Sequence, residues 1–296
     1  MTQDKMGLTA TIVFQASSAN YGESLGNVAS LKKLTRGDGQ QYSYISRQAI
    51  RYDIVQQLGE KEANLEAEGS GDKKVIQFAK DASIKDFPEI DFFGYMKTEK
   101  SNNSSIRSAK VRLSNAISQE PYEGDTDFLT NMSLAQRIRK ATGDNKIRNS
   151  IAQSEIQQSY YVYTLTVDLD QIGVDDNDGT NLNANEKNRR VAKLLDTIQY
   201  LYRDIRGRRE DLKPLFVIGG VYDIKNPIFE NAVKVRNIES IQSILDDPRV
   251  KENTSVGFVD GAFNNNQEIK DKLDAVTVAK FMTDLKKKVA DYYEGN

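Results

Sequence analysis

A short segment near residue 50 combines the side chains that proteins use to hold a phosphodiester. Ser46 offers a hydroxyl group, Gln48 an amide, and Arg47 and Arg51 two guanidinium groups. Because Arg47 and Arg51 are four residues apart, a helix would place both on one face. Amide groups at the start of a helix also attract anions. The segment therefore predicts a site for a phosphate backbone; the alternative is that both arginines form ion pairs with distant acids.

Positive charge is concentrated in two stretches of a chain whose net charge is −2. Residues 30–51 contain five Lys or Arg residues against one Asp, and residues 97–115 contain five against one Glu. Such cations neutralise phosphates without reading the base sequence. The two stretches therefore favour a nucleic-acid surface, although a solvated surface face is the alternative. Besides the two arginines above, the candidate cations are Lys32, Lys33, Arg107, Lys110 and Arg112.

A third feature is a run of apolar side chains directly before the second basic stretch. Phe92, Phe93, Tyr95 and Met96 would lie on both faces of an extended strand. One interpretation is that all four belong to the core. The other is that Met96 and the nearby aromatic rings form a wedge at the base of a hairpin, where they separate or stack nucleobases.

The residues that are missing exclude several chemistries. The chain contains no Cys and no His, which excludes disulfides, thiolate metal sites, Ser-His-Asp triads and metal sites with His ligands. Five Asp residues lie between positions 168 and 178, but the calcium-loop spacing fails because Val174 and Asn185 occupy its first and last ligand positions. We therefore expect a solvated acidic loop there, with no metal and no cofactor.

Composition indicates an ordinary globular protein. The chain has 296 residues, of which 38% are hydrophobic and 28% charged. No apolar run approaches the roughly 20 residues that a membrane helix needs, and the first five residues are too polar to begin a signal peptide. We expect a single cytoplasmic domain over residues 1–296, without a membrane partner.

The elements that must position the candidate residues follow from hydrophobic periodicity and turn signals. Ser46 is the expected N-cap of the first helix. Segment 17–44 is expected to be a long loop and 59–73 an exposed connection, while 97–105 would be the disordered tip of a long hairpin. The predicted strands are 8–16, 87–96, 106–117, 160–169 and 215–222; the predicted helices are 46–61, 184–209 and, at the C-terminus, 267–293; short elements lie near 238–246 and 255–260.

The order strand–helix–strand occurs twice, as in a ferredoxin-like or RNA-recognition-motif sandwich. We therefore predict an α+β fold in which a palm of this type carries long inserted loops and a β-hairpin thumb. The inserted thumb or finger region would cover about 90–150. Insertions on a small sheet often carry function, and both basic stretches fall at or beside the predicted insertions.

Four short motifs, taken in order, resemble the DevR family of CRISPR-associated proteins. The resemblance extends over roughly the first 130 residues, and the strand at 160–169 and Gly219-Gly220 are compatible with it. The motifs are Ser18-Ala19-Asn20-Tyr21-Gly22, Ser46-Arg47-Gln48-Ala49-Ile50-Arg51-Tyr52, Asp91-Phe92-Phe93-Gly94-Tyr95-Met96 and Ser114-Asn115-Ala116-Ile117-Ser118-Gln119-Glu120-Pro121-Tyr122.

This resemblance implies a backbone subunit of a type I-B Cascade surveillance complex. Such subunits polymerise along the spacer of a CRISPR RNA, and the thumb of one copy folds over the guide and displaces a base at regular intervals. The stretches between kinks remain free to pair with a target DNA strand, so base pairing supplies the specificity. The implied partners are the CRISPR RNA, the target DNA, further copies of the chain and other Cascade subunits.

The resemblance also implies roles for the candidate residues. Ser46, Arg47, Gln48 and Arg51 would hold guide phosphates, and Asn20, Lys32 and Lys33 would line the same groove. The thumb would contact the next part of the backbone through Arg107, Lys110 and Arg112, with Met96 at the kink. No catalytic role is implied, because a separate helicase-nuclease degrades the target in type I systems.

Two other functions remain open from the sequence. One is a metal-dependent ribonuclease that uses Asp91 or the acids at 168–178, since backbone subunits of related type III complexes cleave RNA with an Asp of the thumb region. The other is a scaffold protein that binds no RNA. Copurification of a guide-length RNA separates the scaffold from both other readings, and cleavage that a chelator abolishes identifies the ribonuclease.

Overall fold

The computed structural model describes residues 5–17, 20–68, 74–98, 104–234 and 236–295. Its strands are β1 (Gly7–Ala16), β2 (Tyr21–Leu25), β3 (Val28–Leu31), β4 (Lys33–Thr35), β5 (Gln41–Ile45), β6 (Leu65–Glu68), β7 (Val75–Phe78), β8 (Tyr95–Thr98), β9 (Ser104–Arg107), β10 (Val111–Leu113), β11 (Ala116–Ser118), β12 (Thr126–Thr130), β13 (Ile151–Glu155), β14 (Ser159–Asp168), β15 (Val174–Asp175), β16 (Thr180–Asn181), β17 (Tyr202–Ile205), β18 (Arg208–Asp211), β19 (Phe216–Tyr222), β20 (Thr254–Phe258) and β21 (Val276–Thr277). Its helices are α1 (Arg47–Leu58), α2 (Pro88–Phe93), α3 (Met132–Thr142), α4 (Ala184–Gln199), α5 (Glu239–Leu245), α6 (Pro248–Lys251), α7 (Asn266–Lys272) and α8 (Val278–Glu294).

The centre of the molecule is an antiparallel sheet with ferredoxin-like topology. Along the chain its elements are β1, α1, β10 with β11, β14, α4 and β19, and in the sheet the strand order is β19, β1, β14, β11. Strand β1 pairs antiparallel with β14 on one side and with β19 on the other. This is the split βαβ arrangement of an RNA-recognition palm, so the predicted α+β fold is confirmed.

Both faces of the central sheet are covered. Helices α1, α4 and α8 pack on one face, where alternate residues of β1 such as Ile12 and Phe14 join their apolar side chains. Val13 points to the other face and packs with Phe216, Ile218 and the segment that carries α5, α6 and α7. Because β1 is buried on both sides, its apolar residues form a continuous run rather than an alternation.

Two insertions project from this palm. The first follows α1 and contains the β6–β7 hairpin, α2 and the β8–β9 hairpin. The second lies between β11 and β14, where β12 and β13 flank α3 and join β3 and β2 in a separate four-stranded sheet. The region 90–150, expected to be one inserted thumb, is therefore divided, because β10 and β11 pair with β14 in the central sheet.

Several predicted elements differ from the structure. The expected strand at 87–96 is helix α2 followed by β8, since Pro88 occupies the first helical turn and Gly94 ends the helix with a φ of 74°. The expected loop at 17–44 contains β2 to β4 and most of β5, because β3 pairs with β13 and β5 with β11 across long stretches of chain. These partners are distant in sequence, so local composition did not reveal them.

The two long predicted helices are both shorter than expected. The helix at 184–209 ends at Gln199, and the hairpin of β17 and β18 follows around Arg206 and Gly207, both with positive φ. The C-terminal helix predicted at 267–293 is two helices, α7 and α8. They are separated at Asp274, whose φ is 47°, and Thr277 caps the second helix by accepting a hydrogen bond from the Lys280 amide.

Some sequence predictions lie outside the described residues. These are Ser18 and Ala19 of the first motif, residues 69–73 of the exposed connection and residues 99–103 of the expected hairpin tip. Within the part of the chain that is described, no helix has the length and apolarity needed to cross a membrane.

Candidate nucleic-acid interface

Three segments of the chain meet at the start of α1. Ser46 is the N-cap, and its Oγ accepts a hydrogen bond from the Ala49 amide at 3.3 Å. The side-chain oxygen of Asn20 accepts from the Ser46 amide at 3.2 Å, and that of Asn115 accepts from the Arg47 amide at 2.9 Å. The first turn of α1 is therefore fixed to the connection before β2 and to the connection between β10 and β11.

A cleft of about 470 Å³ opens beside this turn. One wall is the exposed face of α1, with Arg47, Gln48 and Arg51, and the other comes from α2 and the start of the central-sheet strand β10. The residues of the second wall are Phe93, Ala109, Val111, Arg112 and Leu113. The i, i+4 spacing of the two arginines thus places both at one opening, as the sequence predicted.

A second cleft, of about 430 Å³, adjoins the first. Arg47 and Gln48 line both clefts, and Lys32, Tyr44, Ser46 and Asn115 complete the second one. Six of the predicted residues therefore lie along one continuous depression. No Asp or Glu lines either cleft among the described residues, so the surface is cationic and rich in hydrogen-bond donors.

The arginines of the depression differ in their partners. Arg47 and Arg51 are exposed, and no acid of the described residues lies within 4 Å of either guanidinium. Arg51 lies over the ring of Phe93, with 5.5 Å between the guanidinium carbon and the ring centroid. Arg112 forms an ion pair of 3.0 Å with Asp168 but remains half exposed. Two guanidinium groups are thus open to an anion, and a third is partly neutralised.

Three other predicted residues lie near the depression without lining it. Asn20 is a structural capping residue, as described above. Lys33 forms a 2.6 Å ion pair with Glu155 and lies over the ring of Tyr122 at 4.3 Å, so its charge faces the second sheet. Lys110 is half-buried, and this burial, with a further contribution from Arg107, lowers the pKa of its ammonium group.

Arg107 does not lie on a surface that RNA could reach. Its side chain is 4% exposed and its Nη2 donates to Asp91 Oδ1 at 2.6 Å. Asp91, which is fully buried, also accepts from Arg190 at 2.9 Å and from the Gly173 amide at 3.0 Å. Arg107 instead ties β9 to α2 and α4. The predicted contact between Arg107 and the guide is therefore not supported, since sequence alone did not show its buried acid.

The apolar run before the second basic stretch divides between core and surface. Phe92 is fully buried, and the Tyr95 hydroxyl donates to Asp175 at 2.8 Å. Phe93 is half-buried and lines the first cleft. Met96 is 58% exposed on β8, directly opposite Ile106 of β9, which is 57% exposed. The exposed tip of this hairpin thus carries an apolar pair, which is the geometry that a wedge needs.

The acids considered for metal binding are all engaged by other groups. Asp168 and Asp170 contact Lys225, and Asp178 accepts from the Ser83 hydroxyl at 2.9 Å. Asp91 is enclosed by arginines. Within the described ranges, no group of three acids has the arrangement of a metal site.

Gly219 and Gly220 serve the packing of the sheet. Both are buried in β19, and a Cβ atom added at Gly219 would lie 2.0 Å from the carbonyl oxygen of Thr9 on the neighbouring strand. They do not form a loop that approaches a nucleotide. The close approach of backbones accounts for the pair, as expected for Gly inside a strand.

Two residues of the depression were not singled out for it from the sequence. Asn115 lines the second cleft and caps the helix, and Phe93 forms the wall of the first under Arg51. Both belong to motifs quoted above, but their contact with α1 spans 68 and 42 residues of chain. Local spacing could not have shown that contact.

Comparison with known proteins gives a family and a fold. Residues 8–239 match the family described as CRISPR-associated negative auto-regulator DevR/Csa2. A solved structure described as "CRISPR RNA-guided surveillance complex, pre-nicking" is similar with a TM-score of 0.60 and 12% identity, over 96% of this chain and 100% of that chain. A second, described as "CRISPR RNA-guided surveillance complex", has a TM-score of 0.58 and 14% identity, over 98% and 99%.

Comparison with curated proteins gave no match. The two structural similarities concern the fold, because the identities are low. The family match covers more than half of the chain and includes the start of α1, both insertions and the central strands. The chain therefore belongs to the CRISPR-associated DevR family.

Proposed function

We propose that this chain is a non-catalytic backbone subunit that binds CRISPR RNA in a type I-B Cascade complex. Copies of it would polymerise along the guide and present the bases to a target DNA strand. The observation that carries this proposal is the continuous depression at the start of α1, where cations, a hydroxyl and amide groups meet without an acid. The family and the two structural relatives, both described as RNA-guided complexes, support it.

The chemistry of the depression suits a sugar-phosphate backbone. Arg47 and Arg51 offer planar guanidinium groups that match phosphate oxygens, while Gln48 and Asn115 offer amides for phosphate or ribose hydroxyl groups. None of these contacts requires a particular base. A subunit that accepts any spacer needs this property, and specificity then comes from base pairing.

The test is RNA binding by the double variant Arg47→Ala/Arg51→Ala. Affinity for a single-stranded RNA is measured by fluorescence anisotropy over a range of salt concentrations. Because each lost ionic contact on a single strand lowers the slope of log K against log salt by about 0.7, the slope should fall by about 1.4. The absolute affinity at low salt should fall as well.

A matched control removes two exposed cations elsewhere. Arg249→Ala/Lys280→Ala has the same change in net charge, and neither residue lines the two clefts. Its salt slope should equal that of the wild type. Equal slopes for all three proteins would contradict the proposed site, and absence of RNA binding by the wild type would contradict the proposed function.

The non-catalytic part of the proposal has its own test. Purified protein is incubated with end-labelled RNA and Mg²⁺, with and without a chelator. We expect intact RNA in both, since the acids near the hairpins are paired with cations or hydroxyls. Cleavage that the chelator stops, and that Asp168→Asn or Asp170→Asn abolishes, would instead establish a ribonuclease.

A further inference from the structure

The second insertion carries an apolar helix face that the chain itself does not cover. We call β12, α3 and β13 together the α3 platform. Of the 11 residues of α3, only Ala135 is buried. Leu134 and Ile138, which are one helical turn apart, are 60% and 47% exposed. A helix this short derives most of its stability from packing one face against a partner, and here that face is open.

A shallow cleft runs along this face. It has a volume of about 640 Å³, and its apolar lining includes Leu134, Ile138, Ala141 and Ile147. The neighbouring strands add Phe128, Leu129 and Ile151, all at least half exposed. Contiguous apolar surface of this kind marks an interaction site in soluble proteins.

The α3 platform is also cationic. Residues 131–151 contain five Lys or Arg residues and one Asp. Arg137 and Arg148 flank the cleft itself, whereas Arg139 is used internally, since it donates to the Ile147 carbonyl and to Asn149, each at 2.7 Å. The partner of the platform should therefore be apolar with an excess of acids.

The first insertion of the same chain has these properties. We call its two hairpins, β6–β7 and β8–β9, the hairpin insert. Leu65, Val75 and Ile76 are each more than 60% exposed, and Met96 and Ile106 add a second apolar pair. Residues 62–98 contain eight Asp or Glu residues against five Lys.

The hairpin insert is held as one unit. The side chain of Gln77 on β7 donates to the Thr98 carbonyl at 3.3 Å, and its oxygen accepts from the Thr98 amide at 2.9 Å. The apolar residues of both hairpins therefore belong to one body that can receive a partner as a whole.

We propose that the α3 platform of one copy docks on the hairpin insert of the next copy. This rests on the proposed function, in which copies follow one another along an RNA. Because the two patches differ and lie on separate insertions, the contact is heterologous and leaves one platform and one insert free at the ends. Such a contact propagates into an open array instead of closing into a symmetric dimer.

The absence of native Cys permits a direct test by crosslinking. Leu134→Cys and Ile76→Cys are made as separate variants, mixed on an RNA long enough for several copies, and treated with a short bismaleimide. The expected product is a covalent dimer containing one of each variant, together with little dimer from either variant alone. No increase in the mixture over the separate variants would overturn the proposal.

Binding to a short RNA that holds one copy separates this proposal from the proposed function. If the wild type binds the short RNA, a negative crosslinking result contradicts docking alone. If it does not bind, the proposed function fails, and crosslinking is then measured at high protein concentration without RNA, with the same two outcomes deciding the docking.

A second variant pair tests the energetic role of the contact. Leu134→Ser/Ile138→Ser should bind the short RNA within about twofold of the wild type but bind the long RNA roughly tenfold more weakly, which corresponds to about 1.4 kcal/mol per added copy. If Arg137→Ala/Arg148→Ala instead weakens short-RNA binding as strongly as the α1 variant does, the platform is a nucleic-acid surface and the docking proposal is overturned.

Discussion

At the scale of single residues, the sign of a charge does not show what the charge contacts. Arg107 and Arg112 are five residues apart in one basic stretch, yet Arg107 is enclosed beside Asp91 while Arg112 reaches the cleft. The buried group of Asp91, Arg107 and Arg190 connects α2, β9 and α4. Its role is to hold the base of the hairpin insert against the palm.

Arg107→Gln is therefore expected to lower stability and leave RNA binding unchanged. Removing one partner of a buried ion pair typically costs about 3–5 kcal/mol, here reduced because Arg190 and the Gly173 amide still contact Asp91. Urea unfolding should show a loss of about 2–4 kcal/mol, while RNA affinity of the folded protein stays within about twofold.

The exposed pair of Arg209 and Asp204 supplies the control, since Arg209→Gln should change stability by less than about 1 kcal/mol. A variant Arg107→Gln that is as stable as the wild type but binds RNA with a lower salt slope would place Arg107 at the interface after all.

At the scale of elements, the sequence predicted the parts that depend on local signals. Helix α1 begins after the capping residue Ser46, and Ile50, Ile54 and Leu58 form its buried stripe. Strands β1, β14 and β19 were found because their apolar runs are long. The short elements were harder, since six apolar residues in α2 fit a strand as well as a helix.

The candidate site shows the same division. Its α1 face followed from the i, i+4 spacing, whereas the opposite wall required tertiary contacts that no local pattern contains. Asn115 is the clearest case, because its side chain joins the β10–β11 connection to the first amide of α1. The clefts depend on that join, since Arg112 and Arg47 stand on the two sides of it.

Substitutions at Asn115 separate helix capping from RNA contact. Asn115→Ala removes the acceptor for the Arg47 amide and should destabilise the protein by about 1 kcal/mol, as other lost caps do. Asn115→Asp keeps an acceptor and, near a helix N-terminus, should retain or raise stability. The new negative charge lies in the second cleft, so RNA affinity should fall.

Thermal unfolding and anisotropy on the two variants check this prediction. Asn131→Asp, at the start of α3 and outside both clefts, adds the same charge and serves as the control. Unchanged RNA affinity for Asn115→Asp would show that the second cleft does not contact the RNA backbone.

At the scale of the whole molecule, a nearly neutral chain separates its charges in space. The net charge is −2, yet the depression at α1 is free of acids, and the acids of the loop at 175–178 are used in contacts with Tyr95 and Ser83. A local cationic surface of this kind attracts a polyanion even when the whole protein does not. The average charge alone gave no indication of a nucleic-acid partner.

This arrangement leads to a prediction about sequence preference. The groups that line the two clefts are guanidinium, ammonium, amide and hydroxyl groups, and the aromatic rings there, Phe93 and Tyr44, can stack on any base. Unstructured single-stranded RNAs of equal length but unrelated sequence should therefore bind within about threefold of one another, a difference of less than 1 kcal/mol. Competition anisotropy at two salt concentrations measures this. A tenfold preference that persists at high salt would show that the protein reads bases directly, because phosphate contacts weaken with salt while contacts to base edges are much less affected.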